Sequence, residues 1–140
     1  MTTESLGFLL ADVSRLLRRA FQQQMEGCDL TFVQARVLMN ISRNEGIRQI
    51  ELAELLELQP IALVHLIDQL TELALIERRP DPTDRRAYQL FLTTAAAPYL
   101  SSIKEIAAAI QTEMLQGLNK QQSAEIISSL KIVRANLAAR

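Results

Sequence analysis

Apolar residues recur at three- and four-residue steps in six stretches of this chain and at two-residue steps in one. Leu6, Leu9, Leu10, Val13, Leu16, Leu17 and Ala20 make the first stripe and predict a helix from about Leu6 to Gln24, with Arg15, Arg18 and Arg19 on its other, solvated face. Gly27 ends it. Thr31 can cap the next helix, whose first N–H groups need an acceptor. Phe32, Ala35, Leu38, Met39 and Ser42 give about three turns, which Asn44-Glu45-Gly46 stops. Ile47 and Arg48 leave room for a very short strand. Ile50, Leu52, Ala53, Leu55 and Leu56 then predict a short helix from about Gln49 to Leu56, and Glu57-Leu58 is just long enough for a turn, though without glycine.

The next segment organises the rest. Leu63, Leu66, Ile67 and Leu70 lie on one helical stripe, leaving Gln59, Ala62, His65 and Gln69 on another face. Pro60 suits a first helical turn, where its fixed φ fits and its missing N–H would have no partner anyway, so this helix begins near Gln59. The period then changes. Tyr88, Leu90 and Leu92 alternate with Gln89 and Phe91, as in a half-buried strand, and Leu75-Ile76 can pair back against it. Between them Pro80, Pro82, Asp81 and Asp84 favour a turn that neither helix nor ladder crosses and that presents Arg85 and Arg86. Two short helices followed by a basic hairpin are the layout of a winged helix-turn-helix, in which the second helix enters the major groove of DNA and the wing follows the backbone or the minor groove.

Beyond the hairpin, Thr93 or Thr94 is expected to cap a helix with Pro98 in its first turn. Its stripe is Leu100, Ile103, Ile106, Ala107, Ile110, Met114 and Leu118, loosened at the end by Gly117. Asn119 with Gln122 resembles a capping box and opens a last helix with Ile126, Ile127, Leu130, Val133 and Leu137 on one face. The first helix and the last two carry more apolar surface than a winged helix can cover, which predicts a homodimer built from both termini. A two-fold dimer sets two reading helices about 34 Å apart and demands a near-palindromic site.

Composition adds limits. The 140 residues suit one domain with a core that needs no metal or disulfide. No apolar run nears the ~18 residues of a membrane span, and the single cysteine, Cys28, cannot make an internal disulfide, so a cytoplasmic protein without membrane attachment is expected. The net charge of −1 argues against nonspecific nucleic-acid packing. Over residues 36–93, seven arginines stand against nine acids, a balance of −2 that speaks against DNA. Against that sum, two adjacent arginines at a proline-bounded hairpin favour phosphate or groove contact.

Leu30-Thr31 with Gln34, Ala35 and Val37-Leu38, then Leu52-Ala53, Leu66-Ile67-Asp68-Gln69-Leu70, Leu75-Ile76-Glu77-Arg78-Arg79, and above all Asp81-Pro82-Thr83-Asp84-Arg85-Arg86 running to Leu92-Thr93, resemble the MarR family of bacterial transcriptional regulators. The fold this implies is mainly α with a small β-hairpin wing: one domain over residues 1–140, its winged helix-turn-helix over 30–93, with dimerisation helices in 1–26 and 94–140. The implied function is that of a sequence-specific DNA-binding regulator, a ligand-responsive repressor acting as a homodimer. Asp84 and Arg86 match the wing's Asp-x-Arg, in which Arg86, with Arg85, enters the minor groove while Asp84 orients the guanidinium. Gln59, Pro60, Ala62, His65 and Gln69 fall at the groove-facing helix positions, and Arg48 joins them as an expected DNA contact. Three positions depart from the family pattern. His65 stands where Arg is common and Ala62 where Thr or Ser is, which removes a charged donor and a hydroxyl from the reading face. Ala74 replaces the usual glycine at the end of the reading helix, so it either strains there by ~1 kcal/mol or the helix ends differently.

Other chemistries find less support. His65 would gain charge near pH 6.5 and make DNA binding pH-sensitive, or it is a neutral polar residue on an exposed face. With no second histidine, no metal site is expected. Cys28, between Glu26 and Asp29, shows no sign of a lowered pKa and is read as inert. Met25, Met39 and Met114 are read as core residues that could instead line a cavity for a small effector, whose identity the sequence does not give. Arg78 and Arg79 are expected to pair with Glu77 and Asp81 and hold the wing. No Gly-rich phosphate loop, His-Glu-x-x-His or Cys-x-x-Cys is present, so no enzyme and no cofactor is expected. The competing reading is a winged helix that binds another protein instead of DNA. If about three arginines per protomer meet phosphate, a DNA-binding dimer shows a log–log salt slope of about −5.

Overall fold

The protein, described by a computed structural model over residues 4–140, contains six α-helices and one two-stranded antiparallel sheet among the described residues. Residues 1–3, the start of the N-terminal segment expected to dimerise, lie outside the described residues. The chain divides into two units, Met1–Ala107 and Ala108–Arg140. All of the winged part falls in the first, and the boundary cuts the expected C-terminal dimerisation segment of residues 94–140.

In the first unit, helix α1 (Leu6–Gln24) starts where Ser5 Oγ accepts the Phe8 N–H at 3.2 Å. Helix α2 (Phe32–Arg43) opens with a full capping box: Thr31 Oγ1 accepts from Gln34 N at 3.1 Å while Gln34 Oε1 accepts from Thr31 N at 2.9 Å. Helices α3 (Gln49–Leu56) and α4 (Pro60–Glu72) follow, with Pro60 in the first turn of α4 as its locked φ predicts. Strands β1 (Ile76–Pro80) and β2 (Tyr88–Leu92) pair with Ile76 opposite Leu92 and Pro80 opposite Tyr88. The ladder therefore runs through Pro80, which was expected to lie in the turn. A proline is tolerated at that strand end because the next main-chain donor, Asp81 N, closes the loop on Ala87 O at 3.0 Å. The short strand foreseen at Ile47-Arg48 is a single bridge from Arg48 to Gln89.

Val37, Leu38 and Ile41 of α2, Leu52 and Leu56 of α3, Leu63, Ile67 and Leu70 of α4, and Leu75, Ile76 and Leu90 of the hairpin are buried together. This core fixes the angle between α3 and α4 and seats the hairpin beside them. Truncating one such leucine or isoleucine to alanine costs about 2–5 kcal/mol, enough to endanger a domain of ordinary stability. Helix α1 behaves differently. It contributes no buried residue, and Leu6, Leu9, Val13 and Leu16 of its stripe are exposed.

Thr93 precedes a 3-10 turn (Thr94–Ala96) that leads into α5 (Ala97–Met114) with Pro98 in its first turn. The expected side-chain cap is absent, because the Thr93 hydroxyl donates instead to Ala74 O at 2.5 Å and ties the end of β2 to the end of α4. Leu118 falls beyond α5, outside the stripe expected to include it.

The second unit holds the last turns of α5 and helix α6 (Lys120–Ala138). Gly117, at φ 86°, turns the chain in a left-handed conformation that side chains resist. The anticipated box forms: Asn119 Oδ1 accepts from Gln122 N at 2.8 Å and Gln122 Oε1 from Asn119 N at 3.0 Å. Ile126, Ile127, Leu130 and Leu137 are exposed, and no residue of α6 is buried.

Candidate nucleic-acid interface

The turn between α3 and α4 lacks glycine, and Glu57 takes the left-handed conformation instead, at φ 55°. Leu58 N then reaches Ala53 O at 2.9 Å, so the carbonyls at the end of α3 are satisfied and the chain is aimed into α4. At the other end of α4, Ala74 sits at φ 61°, Leu75 N donates to Leu70 O at 3.0 Å and Ala74 N to Thr71 O at 2.9 Å. The helix thus ends in the glycine-type motif without the glycine, the strained alternative of the two expected for Ala74.

Opposite its buried stripe, α4 exposes Pro60, Ile61, Ala62, His65, Asp68 and Gln69, with Gln59 exposed just ahead of it. The side chain of Gln59 makes no cap bond and is free for a partner. Gln69 is partly committed, since its Oε1 accepts from Gln34 Nε2 at 3.1 Å. Between Pro60 and Glu72 there is no lysine or arginine. Ile61, 70 % exposed on the same face, was not among the residues expected there. The signal was an isoleucine standing off the apolar stripe.

The wing is built around Asp81, whose carboxylate is nearly enclosed. Its Oδ1 accepts from Thr83 N at 2.8 Å, Thr83 Oγ1 at 2.7 Å and Asp84 N at 3.2 Å, and its Oδ2 from Arg48 Nε at 2.7 Å. The two hydrogen bonds from Thr83, followed by the one from Arg48, lower Asp81 from its ordinary value of 3.8 to about 2. Arg48 is raised in turn, first by its hydrogen bond to Asp81. The expected partnerships are therefore redistributed. Arg48, expected on DNA, braces the wing, and it also reaches Thr83 Oγ1 at 3.2 Å. Arg79 does pair with Glu77, at 2.7 Å, and lies over the Phe91 ring at 3.8 Å. Arg78 binds neither Glu77 nor Asp81: it donates to Asp68 Oδ1 at 2.7 Å and to Gln49 Oε1 at 3.0 Å, joining β1 to both helices of the helix-turn-helix. Local charge spacing could not have shown the Arg48–Asp81 and Arg78–Asp68 pairs, whose members lie 33 and ten residues apart.

At the tip, Asp84 Oδ1 accepts from the Arg86 main-chain N–H at 2.9 Å. Asp84 thus positions Arg86 through its backbone and not, as expected, through its guanidinium. The guanidiniums of Arg85 and Arg86 are exposed and make no hydrogen bond or ion pair among the described residues. Arg86 borders a cleft of about 250 Å³ with Arg48, Gln49, Ile50 and Tyr88, where the wing meets the start of α3.

Residues 29–87 match the model of the MarR family. The whole fold is similar to wild-type MarR from E. coli in its apo form, at 26 % identity and TM-score 0.82 over 95 % of this chain and 98 % of that one. It is similar as well to a MarR transcriptional regulator from Methanosarcina mazei Go1, at 25 % identity and TM-score 0.84 over 96 % of both chains. A mutant E. coli MarR complexed with operator DNA matches at 27 % identity and TM-score 0.72 over 91 % and 92 %. The winged part of the chain, residues 29–87, carries the MarR-family pattern, set in a fold similar to that of solved MarR regulators. These likenesses support a winged helix of the DNA-binding transcription-regulator class.

The chain also has two cavities in its first unit. One, of about 380 Å³, is lined by Phe21, Met25, Phe32 and Met39, with Arg18, Arg36 and Arg43 at its polar side. The other, of about 420 Å³, lies beside Met25, Cys28, Tyr99 and Ile103. Met25 and Met39 therefore border open space as well as core, whereas Met114 is exposed. No helix of the described residues is long and apolar enough to cross a membrane.

Proposed function

We propose that this chain is a cytoplasmic transcriptional repressor that binds a near-palindromic duplex site as a homodimer and is released by a small molecule. The observation that carries the reading is the wing: two unpaired guanidiniums at the tip of a hairpin whose base is fixed by Asp81, Arg48 and Thr83. A cation held ready and unneutralised suits phosphate and the narrow minor groove. Arg86 enters the minor groove and Arg85 stays with it or on the backbone. Gln59, Pro60, Ala62, His65 and Gln69 face the major groove, and Arg48 and Asp84 serve by positioning. The exposed apolar faces of α1 and of α6 support the dimer, since a second copy would cover surface that one copy leaves wet. The Phe21–Met39 cavity with its three arginines supports an effector site.

The test is titration of the purified chain against duplexes selected from random sequence. With Arg48 committed to Asp81, two wing arginines per protomer neutralise about four phosphates, a salt slope of about −4. A flat response refutes the reading. The rival, a winged helix that docks on protein, draws on the absence of any cation along α4. Selection that enriches no DNA, with wild type and Arg86→Ala alike, would favour it.

A further inference from the structure

We infer that α4 reads its half-site chiefly through the C5 methyl of thymine, with Ile61 as the contact, so that A·T pairs lie beneath the start of this helix. The inference rests on the DNA-binding reading above and adds the base class that reading leaves open.

Three observations converge on it. The commonest specific contact in the major groove is an arginine or lysine on guanine O6 and N7, and α4 has neither residue. Arg78, the nearest cation in sequence, is tied to Asp68 and Gln49. Guanine therefore has no strong reader here. Ile61, in contrast, is 70 % exposed on the second residue of the helix, at the N-terminal end that approaches base edges in a helix-turn-helix. It lies off the stripe of Leu63, Ile67 and Leu70, so the core does not require it. With Ala62 beside it, the leading edge of the reading helix is apolar, and thymine is the one base that offers the major groove a methyl. Finally, the two glutamines differ. Gln69 Oε1 already accepts from Gln34, which commits one of its two lone pairs and holds the amide toward α2. Gln59 keeps both its amide oxygen and its NH2 free, the pair needed for N6 and N7 of adenine, the partner of thymine.

The experiment uses the full chain and the duplex it selects from random sequence, with thymines under α4 replaced singly by deoxyuridine, which removes the methyl and leaves pairing intact. Wild type is expected to lose roughly fourfold in affinity for each contacted methyl removed, and about tenfold or more when both half-sites lose it. Ile61→Ala brings the thymine-to-uridine ratio close to one. Leu73→Ala, which trims an exposed apolar side chain at the far end of α4, keeps the ratio. Both sites are exposed, and unchanged circular dichroism establishes that the variants fold. Equal binding of thymine and uridine duplexes by wild type, a ratio unaltered by Ile61→Ala, or selected sites with G·C pairs under the helix would each overturn the inference while leaving DNA binding intact. Failure to bind any duplex refutes both.

Discussion

Replacing Ala74 by glycine stabilises this protein, although the substitution removes a methyl and adds no contact. At φ 61° the alanine Cβ crowds its own backbone, which costs an L-residue about 1–2 kcal/mol. Glycine gives back about 0.4–1 kcal/mol of this through its larger freedom in the unfolded chain. Because Ala74 is exposed, its methyl contributes little burial, and the net gain is about 0.5–1 kcal/mol. With an m-value of about 2 kcal/mol/M, the urea midpoint rises by about 0.3–0.5 M. The comparison is made at one protomer concentration, since association shifts apparent stability. Ala109→Gly, at an exposed helical position in α5, is the control of opposite sign and lowers stability by about 1 kcal/mol. An unmoved or lowered midpoint for Ala74→Gly at unchanged m would refute the argument that the backbone, and not the side chain's surroundings, sets the energy there.

Arg86→Ala costs about 1.5 kcal/mol or more of DNA affinity and flattens the salt slope by about two in a dimer, while sedimentation shows the same assembly as wild type. Asp81 is stabilising in its charged form: its folded pKa of about 2 lies below the ordinary 3.8, so its contribution is complete above pH 3.8 and disappears as pH falls through 2. Carbon-detected titration checks this, and Thr83→Val and Arg48→Met are each expected to move the Asp81 midpoint upward. Leu16→Glu, on the exposed stripe of α1, is expected to weaken the proposed dimer and shift sedimentation toward monomer; an assembly unchanged from wild type would exclude α1 from the interface.

What the sequence displayed plainly was everything decided within a few residues. Thr31 and Gln34 form a box because they stand three apart, Pro60 marks a helix start because its φ allows little else, and the two-residue period from Tyr88 to Leu92 needs no partner to be recognised. Ala74 was legible as a conflict between residue and conformation, and the conflict is present. Long-range ion pairs were illegible. Arg48 and Arg78 each had several carboxylates within reach of a plausible fold, and only the packing of α3 against the hairpin chose Asp81 for Arg48 and Asp68 for Arg78, whereas Arg79 takes its expected neighbour Glu77. Asp84 was misjudged for a related reason: a carboxylate two residues from an arginine finds its backbone N–H sooner than its guanidinium. Ile61 was overlooked because one isoleucine off the apolar stripe carries little signal until its exposure on the folded helix is seen.

Arg78 bonds at once to Gln49 at the start of α3 and Asp68 on α4, and Arg48 closes the same circuit through Asp81. Helix and wing consequently travel as a single rigid tool with no slack of its own. In the dimer proposed above, control over such a tool would come from changing the span between the two copies, much as callipers are opened at the joint and not at the tips.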